Sequence, residues 1–212
     1  PNSLVRRWKR ITAFTNLRRA ELLRAEHRLC RGSDGPVIAA LSHYVADQLR
    51  EHYGTDPHRI VLTPNGIHLD PTTDSGAADR VRRQFVAHFE NKGIDKPALY
   101  LFAAHNFRLK GLHPLIRAMQ GVCTTRTERP VGLIVAGAGK AAAYRKLARN
   151  LGVESHILFL GPVGRIRDIL PAVDVGILPT FYDPSSRFIL EALAAGRPVI
   201  TTRFNGATDL FT

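Results

Sequence analysis

Cysteine is scarce in this chain, and the scarcity excludes several classes of protein at once. Only Cys30 and Cys123 occur among 212 residues. They form neither a redox pair nor a metal-ligand spacing, and a small secreted scaffold would carry many more. A reducing, cytoplasmic setting is expected. Long apolar runs are absent too: none reaches about 18 residues, so no transmembrane helix is expected. Nine histidines are present, yet no H-E-x-x-H or comparable ligand set appears, so no metal site is expected. There is no G-x-S-x-G elbow for serine hydrolysis and no G-x-x-x-x-G-K-[ST] phosphate loop. Internal repeats and low-complexity tracts are also missing. Pro1 stands where an initiator Met would, and the first segment is too charged for a signal peptide, so the sequence reads as an excerpt of a longer protein.

Acid is in short supply. Eighteen Asp and Glu face thirty Lys and Arg, a formal charge of +12. Residues 1–31 concentrate it, with nine basic residues against Glu21 and Glu26. Leu4, Trp8, Ile11 and Phe14 recur there at helical spacing, which predicts a basic amphipathic helix. Such a helix suits an anionic membrane face; packing against another domain explains it equally well. The basic–aromatic interleaving used to bind nucleic-acid bases is absent, so no nucleic-acid partner is expected.

The apolar fraction, 44%, is enough for an ordinary core, and the length allows one full domain plus part of another. Two strands, PVIAAL (36–41) and RIVLT (59–63), flank a helix that Ser42 caps and that runs to about Tyr53. Pro64-Asn65-Gly66 turns the chain, and residues 67–77 read as a linker. Residues 1–70 are therefore expected to be the remnant of a preceding domain, and 71–212 a second domain. In the second, a helix over 77–92 precedes strict strand–helix alternation. The strands are ALYLFAA (98–104), VGLIVA (131–136), HILFL (156–160), DVGILP (174–179) and RPVITT (197–202). The intervening helices are Leu112 to about Thr124, Lys140 to Leu151, a short one near 165–172, and 187–195. Short strands that are apolar on both faces belong to parallel sheets. The alternation predicts an α/β, doubly wound, Rossmann-like domain, whose ligands sit outside the carboxyl ends of the strands.

Four loops leave those ends, and their contents define the candidate site. The first carries Arg108 and Lys110 before Gly111, two cations able to neutralise a diphosphate. The second, Gly137-Ala138-Gly139-Lys140, lets backbone approach a ligand or makes a tight turn. The third, Gly161 to Gly164, offers only backbone groups. The fourth is the most informative. Asp183 and Glu191 bracket the start of a helix, with Ser185 and Ser186 between them as candidate caps. A helix amino end collects unpaired N–H groups and partial positive charge, which suits phosphate; carboxylates beside it suit sugar hydroxyls. Taken singly, Asp183 could be a turn former and Glu191 a helix-dipole partner.

With these motifs in order, the chain resembles glycosyltransferase family 4, of the GT-B fold, with its E-x7-E motif followed by E-A-[ML]-A-x-G-x-P-V-[IV]. The counterpart here is Asp183-x7-Glu191, then EALAAGRPVI. Supporting signs are PNG at 64–66, KG at 110–111, the strand ending in GAG, NLGVESHILFLGPV and AVDVGILPT. Within the family the likeness is to lipopolysaccharide core glucosyltransferases. The resemblance implies retaining transfer of a sugar from a nucleotide-diphosphate donor, a UDP-sugar, to a saccharide or lipid-linked acceptor, without a metal or other cofactor. It implies that Arg108 and Lys110 hold the diphosphate and that Asp183 contacts donor-sugar hydroxyls. Glu191 would meet the ribose, backbone at Val163 the base, and Ser185, Ser186, Gly137 and Gly139 the remainder of the donor. The expected location is cytoplasmic, peripheral on the inner membrane face through residues 1–31. The sequence departs from the pattern at Asp183, where Glu is usual, and at Ser185-Ser186, which replace the common Phe-Gly. A GT-B epimerase or phosphorylase, and a non-catalytic basic binding module, are the alternatives.

Overall fold

A computed structural model of the chain describes residues 17–68, 75–125 and 129–211. Leu4, Trp8, Ile11 and Phe14 of the expected amphipathic helix lie outside the described residues. The chain divides into two compact units, Pro1–Pro64 and Asn65–Thr212. The division falls ahead of residue 70 because Asn65 and Ile67 belong to the second unit. Asn65 donates to the Ser185 carbonyl, and Ile67 packs on the core there.

In the first unit, helix α1 (Leu17–Cys30) precedes strand β1 (Ile38–Ala40), helix α2 (His43–Tyr53) and strand β2 (Ile60–Leu62). The two strands pair in parallel, Ile38 opposite Ile60. Helix α2 begins and ends as its sequence dictates. The Ser42 hydroxyl accepts from Val45 N, and Gly54, at φ 62°, closes the last turn with its N–H on the Arg50 carbonyl. Arg59 is buried and donates to the carbonyls of Leu29, Arg31, Gly32 and Pro36. One guanidinium thereby fastens the end of α1 to the turn that leads into β1.

The second unit opens with helix α3 (Ser75–Glu90) and continues β3 (Ala98–Ala103), α4 (Leu112–Thr124), β4 (Val131–Ala136), α5 (Ala142–Asn150), β5 (Ile157–Gly161), β6 (Val175–Leu178), α6 (Arg187–Ala194) and β7 (Val199–Thr201). The five strands form one parallel sheet in the order β5-β4-β3-β6-β7. This is the doubly wound α/β architecture that the strand–helix alternation predicts. Central strands are apolar throughout because helices cover both faces: Leu99, Leu101, Phe102, Leu133 and Ile134 are fully buried. In α4, Leu112, Leu115, Ile116 and Met119 recur at three- and four-residue steps and form the buried stripe. Phe89 of α3 lies so close to β4 that only a glycine, Gly132, fits beneath its ring. The expected helix near 165–172 is instead two short 3-10 turns, Ile166–Asp168 and Leu170–Ala172. Pro171 explains the split, since it supplies no N–H and disfavours helix in the residue before it.

Among the described residues, no helix is long and apolar enough to cross a membrane.

Candidate functional site

The strand order reverses between β3 and β6: the chain runs outward through β4 and β5, then returns to lay β6 on the other side of β3. Ligands of such sheets bind outside the carboxyl ends of the strands, at this reversal. The loop after β3 carries Arg108 and Lys110; the loop after β6 carries Asp183. The structure brings these loops together. Phe181 N and Thr180 Oγ1 both donate to the Leu109 carbonyl. Lys110 Nζ lies 2.7 Å from Asp183 Oδ2 and donates to the Tyr182 carbonyl. Both side chains are mostly buried, at 20% and 11% exposure.

Local chemistry sets the first loop. Residues 106–112 wind into a turn with Lys110 N on the Asn106 carbonyl and Leu112 N on the Phe107 carbonyl. Phe107 is the buried anchor of that turn. Gly111 ends it at φ 82°, with Pro179 O only 2.0 Å from where a Cβ would sit. Arg108 is exposed on the turn.

The glycines after β4 serve packing. A Cβ on Gly137 would lie 1.9 Å from the Ala104 carbonyl oxygen, and one on Gly139 would enter the Phe107 ring. The Gly137 N–H is already donated to the Gly161 carbonyl. Together these contacts join the second loop to the first and third. Between them lies a recess of about 120 Å³ lined by Phe107, Gly137, Gly139, Arg145, Phe159 and Pro162. The Arg145 guanidinium sits 4.6 Å above the Phe159 ring in its wall. Val163 follows the recess and packs partly on the core.

The fourth loop differs in detail from the capping expected of its serines. Asp183 Oδ1 accepts from Ser185 N, an Asx-type turn, while its other oxygen meets Lys110. Ser186 occupies the cap position of α6, yet its hydroxyl makes no cap bond. Its N–H goes to Asn205 Oδ1 instead. Both serine amides are therefore paired within the protein. The open donors at this helix end are the N–H groups of Arg187, Phe188 and Ile189, which have no acceptor among the described residues. Glu191 stands one turn further on, partly exposed, 3.9 Å from the Arg187 guanidinium.

Three residues that the sequence reading gave no site role complete the site. Asn205 is fully buried and accepts from both Ser186 N and Ala207 N. Thr180 is fully buried and hydrogen-bonds the Leu109 and Tyr182 carbonyls. Asn65 reaches the Ser185 carbonyl at 2.8 Å. The asparagines had a signal: each precedes glycine in a turn dipeptide. Thr180 had none.

The cysteines lie elsewhere. Burial raises the pKa of both thiols, and the Glu26 charge adds to the effect at Cys30. Among the described residues, no group of three or more His, Cys, Asp or Glu side chains could hold a metal.

Comparison with known proteins gives this geometry a context. The family model described as "Glycosyl transferases group 1" matches residues 96–212. The lipopolysaccharide glucosyltransferase WaaG of Escherichia coli K12 is 25% identical over 177 residues, which is 83% of this chain and 46% of that protein. A D-inositol 3-phosphate glycosyltransferase of Pseudarthrobacter chlorophenolicus is 31% identical over 187 residues, 85% of this chain and 42% of the relative. The chain thus spans about half the length of the curated relatives it matches. A crystal structure of WaaG superimposes with a TM-score of 0.76 at 24% identity, covering 94% of this chain and 52% of that one. Anabaena HepE, solved in complex with UDP-glucose, gives 0.66 at 22% identity, covering 83% of this chain and 47% of that one.

Proposed function

Because the chain belongs to the group 1 glycosyl transferases and has the GT-B fold, we propose that Asn65–Thr212 is the donor-binding part of a retaining sugar transferase. The donor is a UDP-sugar and the acceptor a saccharide or lipid-linked hydroxyl. The observation that carries this reading is the Lys110–Asp183 pair beside the open amino end of α6, at the point where the strand order reverses. A cation, a row of open N–H groups and a carboxylate at one rim match the three parts of an activated sugar: diphosphate, its bridging oxygens and the sugar hydroxyls.

The roles follow from chemistry. Lys110 spends two of its three N–H bonds on Tyr182 and Asp183, leaving one for a phosphate oxygen. Arg108, exposed on the same turn, adds a forked donor set to the charge that builds on the departing UDP. Asp183 accepts from a donor-sugar hydroxyl, and Glu191 from the ribose. The recess beside Pro162, next to Val163, is the place for the uracil ring. HepE, which was solved with UDP-glucose, supports that choice of base. In the reaction the bond from C1 to the β-phosphate oxygen breaks. An acceptor oxygen joins C1 on the same face, and its proton leaves with the products. No metal or other cofactor takes part.

Saturation-transfer NMR with UDP, GDP and UDP-glucose tests the reading. Binding of UDP and its weakening by Glu191→Ala are expected; a chain that ignores all three nucleotides would overturn it. In the first unit, exposed Leu22, Leu23 and Leu29 accompany Arg24, Arg28 and Arg31. That combination supports a role for the basic segment on an anionic membrane surface on the cytoplasmic side. Co-sedimentation with vesicles containing anionic lipid, lost at high salt, is the corresponding check; absence of binding at low salt would remove it.

A further inference from the structure

The Ser185–Ser186 peptide unit is held on both sides by carboxamides from distant parts of the chain. Asn65 Nδ2 donates to its carbonyl at 2.8 Å, and Asn205 Oδ1 accepts from its N–H at 3.2 Å. The orientation of the Asn205 amide is itself fixed. Its Nδ2 donates to Thr201 Oγ1 at the end of β7, and its Oδ1 accepts a second bond from Ala207 N. Asn205 is fully buried, and Ser185 and Ser186 are nearly so, at 8% and 5% exposure. Here two partners, at separations of 120 and 19 residues, converge on a single peptide plane.

We propose that Asn65 and Asn205 are a pair of positioning residues that fix this plane and thereby aim the open N–H groups of Arg187 and Phe188 at the donor diphosphate. The inference rests on the reading of the α6 amino end as the diphosphate site and adds the device that holds it. The physical need is clear. Ser185 and Ser186 precede the first helical residue, and rotation of their shared plane would swing a carbonyl dipole toward the phosphates and turn the helix end away. Pinning the carbonyl with a donor and the N–H with an acceptor removes that freedom. Neutral amides do so without adding a charge that would compete with Lys110 for the phosphates. The Pro64-Asn65-Gly66 segment thus acquires a function: it delivers the donor half of the clamp.

The test uses the 212-residue chain, labelled with ¹⁵N, and the variant Asn65→Leu, which keeps the side-chain size and loses the donor. Asn65→Ala serves if the leucine fails to fold. Amide hydrogen exchange at Ser186 is expected to accelerate in the variant, while exchange in β3 and β4 stays as in the parent. Affinity for UDP is expected to fall roughly fivefold, the worth of one neutral hydrogen bond. Affinity for uridine, which lacks the phosphates, is expected to hold. Unchanged exchange at Ser186, or unchanged UDP affinity, overturns the clamp. So does an equal loss for UDP and uridine, which would mean general loosening of the site. A parent chain that binds neither ligand overturns the donor-site reading, and the positioning role falls with it.

Discussion

Lys110 and Asp183 come from loops 73 residues apart and meet at 2.7 Å across the point where the sheet changes direction. The pair has two partners to serve, the fold and the proposed donor, and they can be separated. Lys110→Met leaves the Asp183 carboxylate without its cation in a mostly buried position. Breaking a buried pair costs about 3–5 kcal/mol, and the residual exposure here brings the expected loss to about 2 kcal/mol. UDP affinity is expected to drop about tenfold, equivalent to about 1.4 kcal/mol. The double variant Lys110→Met/Asp183→Asn removes both charges. It should regain much of the stability in urea denaturation and none of the UDP affinity. Recovery of both would show that the lysine does not act on the ligand in its own right, and recovery of neither would refute the stability account of the pair.

Gly111 is where backbone geometry constrains the site most tightly. Its φ of 82° is uncommon for other residues, and a Cβ would press on the Pro179 carbonyl at 2.0 Å. Neither partner is a flexible side chain, so the clash must move backbone. Gly111→Ala is expected to cost about 2–4 kcal/mol in urea denaturation and to shift the ¹⁵N resonances of Lys110 and Thr180. Exposed Gly164, which has open space around it, is the control. Gly164→Ala should leave stability within about 0.5 kcal/mol of the parent. Equal effects at the two sites would refute the steric account.

The sheet and its order of elements were legible because β3 to β6 are apolar on both faces and are separated by helices with periodic stripes. Leu112, Leu115, Ile116 and Met119 repeat at helical spacing, which is the pattern of a buried helix face. The four loops were legible as a group because ligand crevices in parallel sheets form at carboxyl ends. How each loop uses its residues was not. The spacing of Gly137 and Gly139 cannot reveal that Ala104 and Phe107 occupy the space a Cβ would need. Nor can Ser185-Ser186 reveal that Asn205 takes up the Ser186 amide, because that pairing depends on the long return through β7; the Asp183 turn onto Ser185 is local and was legible. Pro171 is visible in the sequence, and its constraint on residue 170 is what divides the helix expected near 165–172.

Arg59 supplies a prediction confined to the first unit. Its guanidinium satisfies four backbone carbonyls, from Leu29 to Pro36, with no carboxylate beside it among those bonds. A Cβ at Gly35 would come within 2.4 Å of that guanidinium, so glycine there makes room for it. Lysine carries the same charge on a single nitrogen and cannot span the same set of acceptors. Arg59→Lys is therefore expected to destabilise β1, α2 and β2 almost as much as Arg59→Met. The loss should be about 1–2 kcal/mol, because four part-buried carbonyls lose their donor. Hydrogen exchange should report it in residues 38–62 and leave β3 and β4 unaffected. Full rescue by lysine would show that charge, not the forked geometry, is what matters.

His88 makes stability depend on pH in a direction that can be worked out. It lies on α3 with its ring edge-on to Phe89 at 5.3 Å, and its Nε2 is buried with no hydrogen-bond partner among the described residues. Burial, and then the charge of Lys92, lowers its pKa below the usual 6.5. Protons therefore bind the unfolded chain more readily than the folded one as the solution acidifies. The contribution of a neutral His88 is fully present above the ordinary imidazole value. It diminishes as pH falls through the interval between that value and the lowered one. His88→Phe keeps an aromatic ring against Phe89 and cannot take up a proton. Urea denaturation of the parent and the variant from about pH 8 to 5 should give parallel stabilities at the alkaline end. The curves should then diverge on acidification, with the parent losing more. Parallel curves across the whole range would mean that the folded chain accommodates the imidazolium, by opening α3 locally or by admitting water to Nε2. A parent that gains stability relative to the variant on acidification would reverse the sign and place an acceptor at that nitrogen.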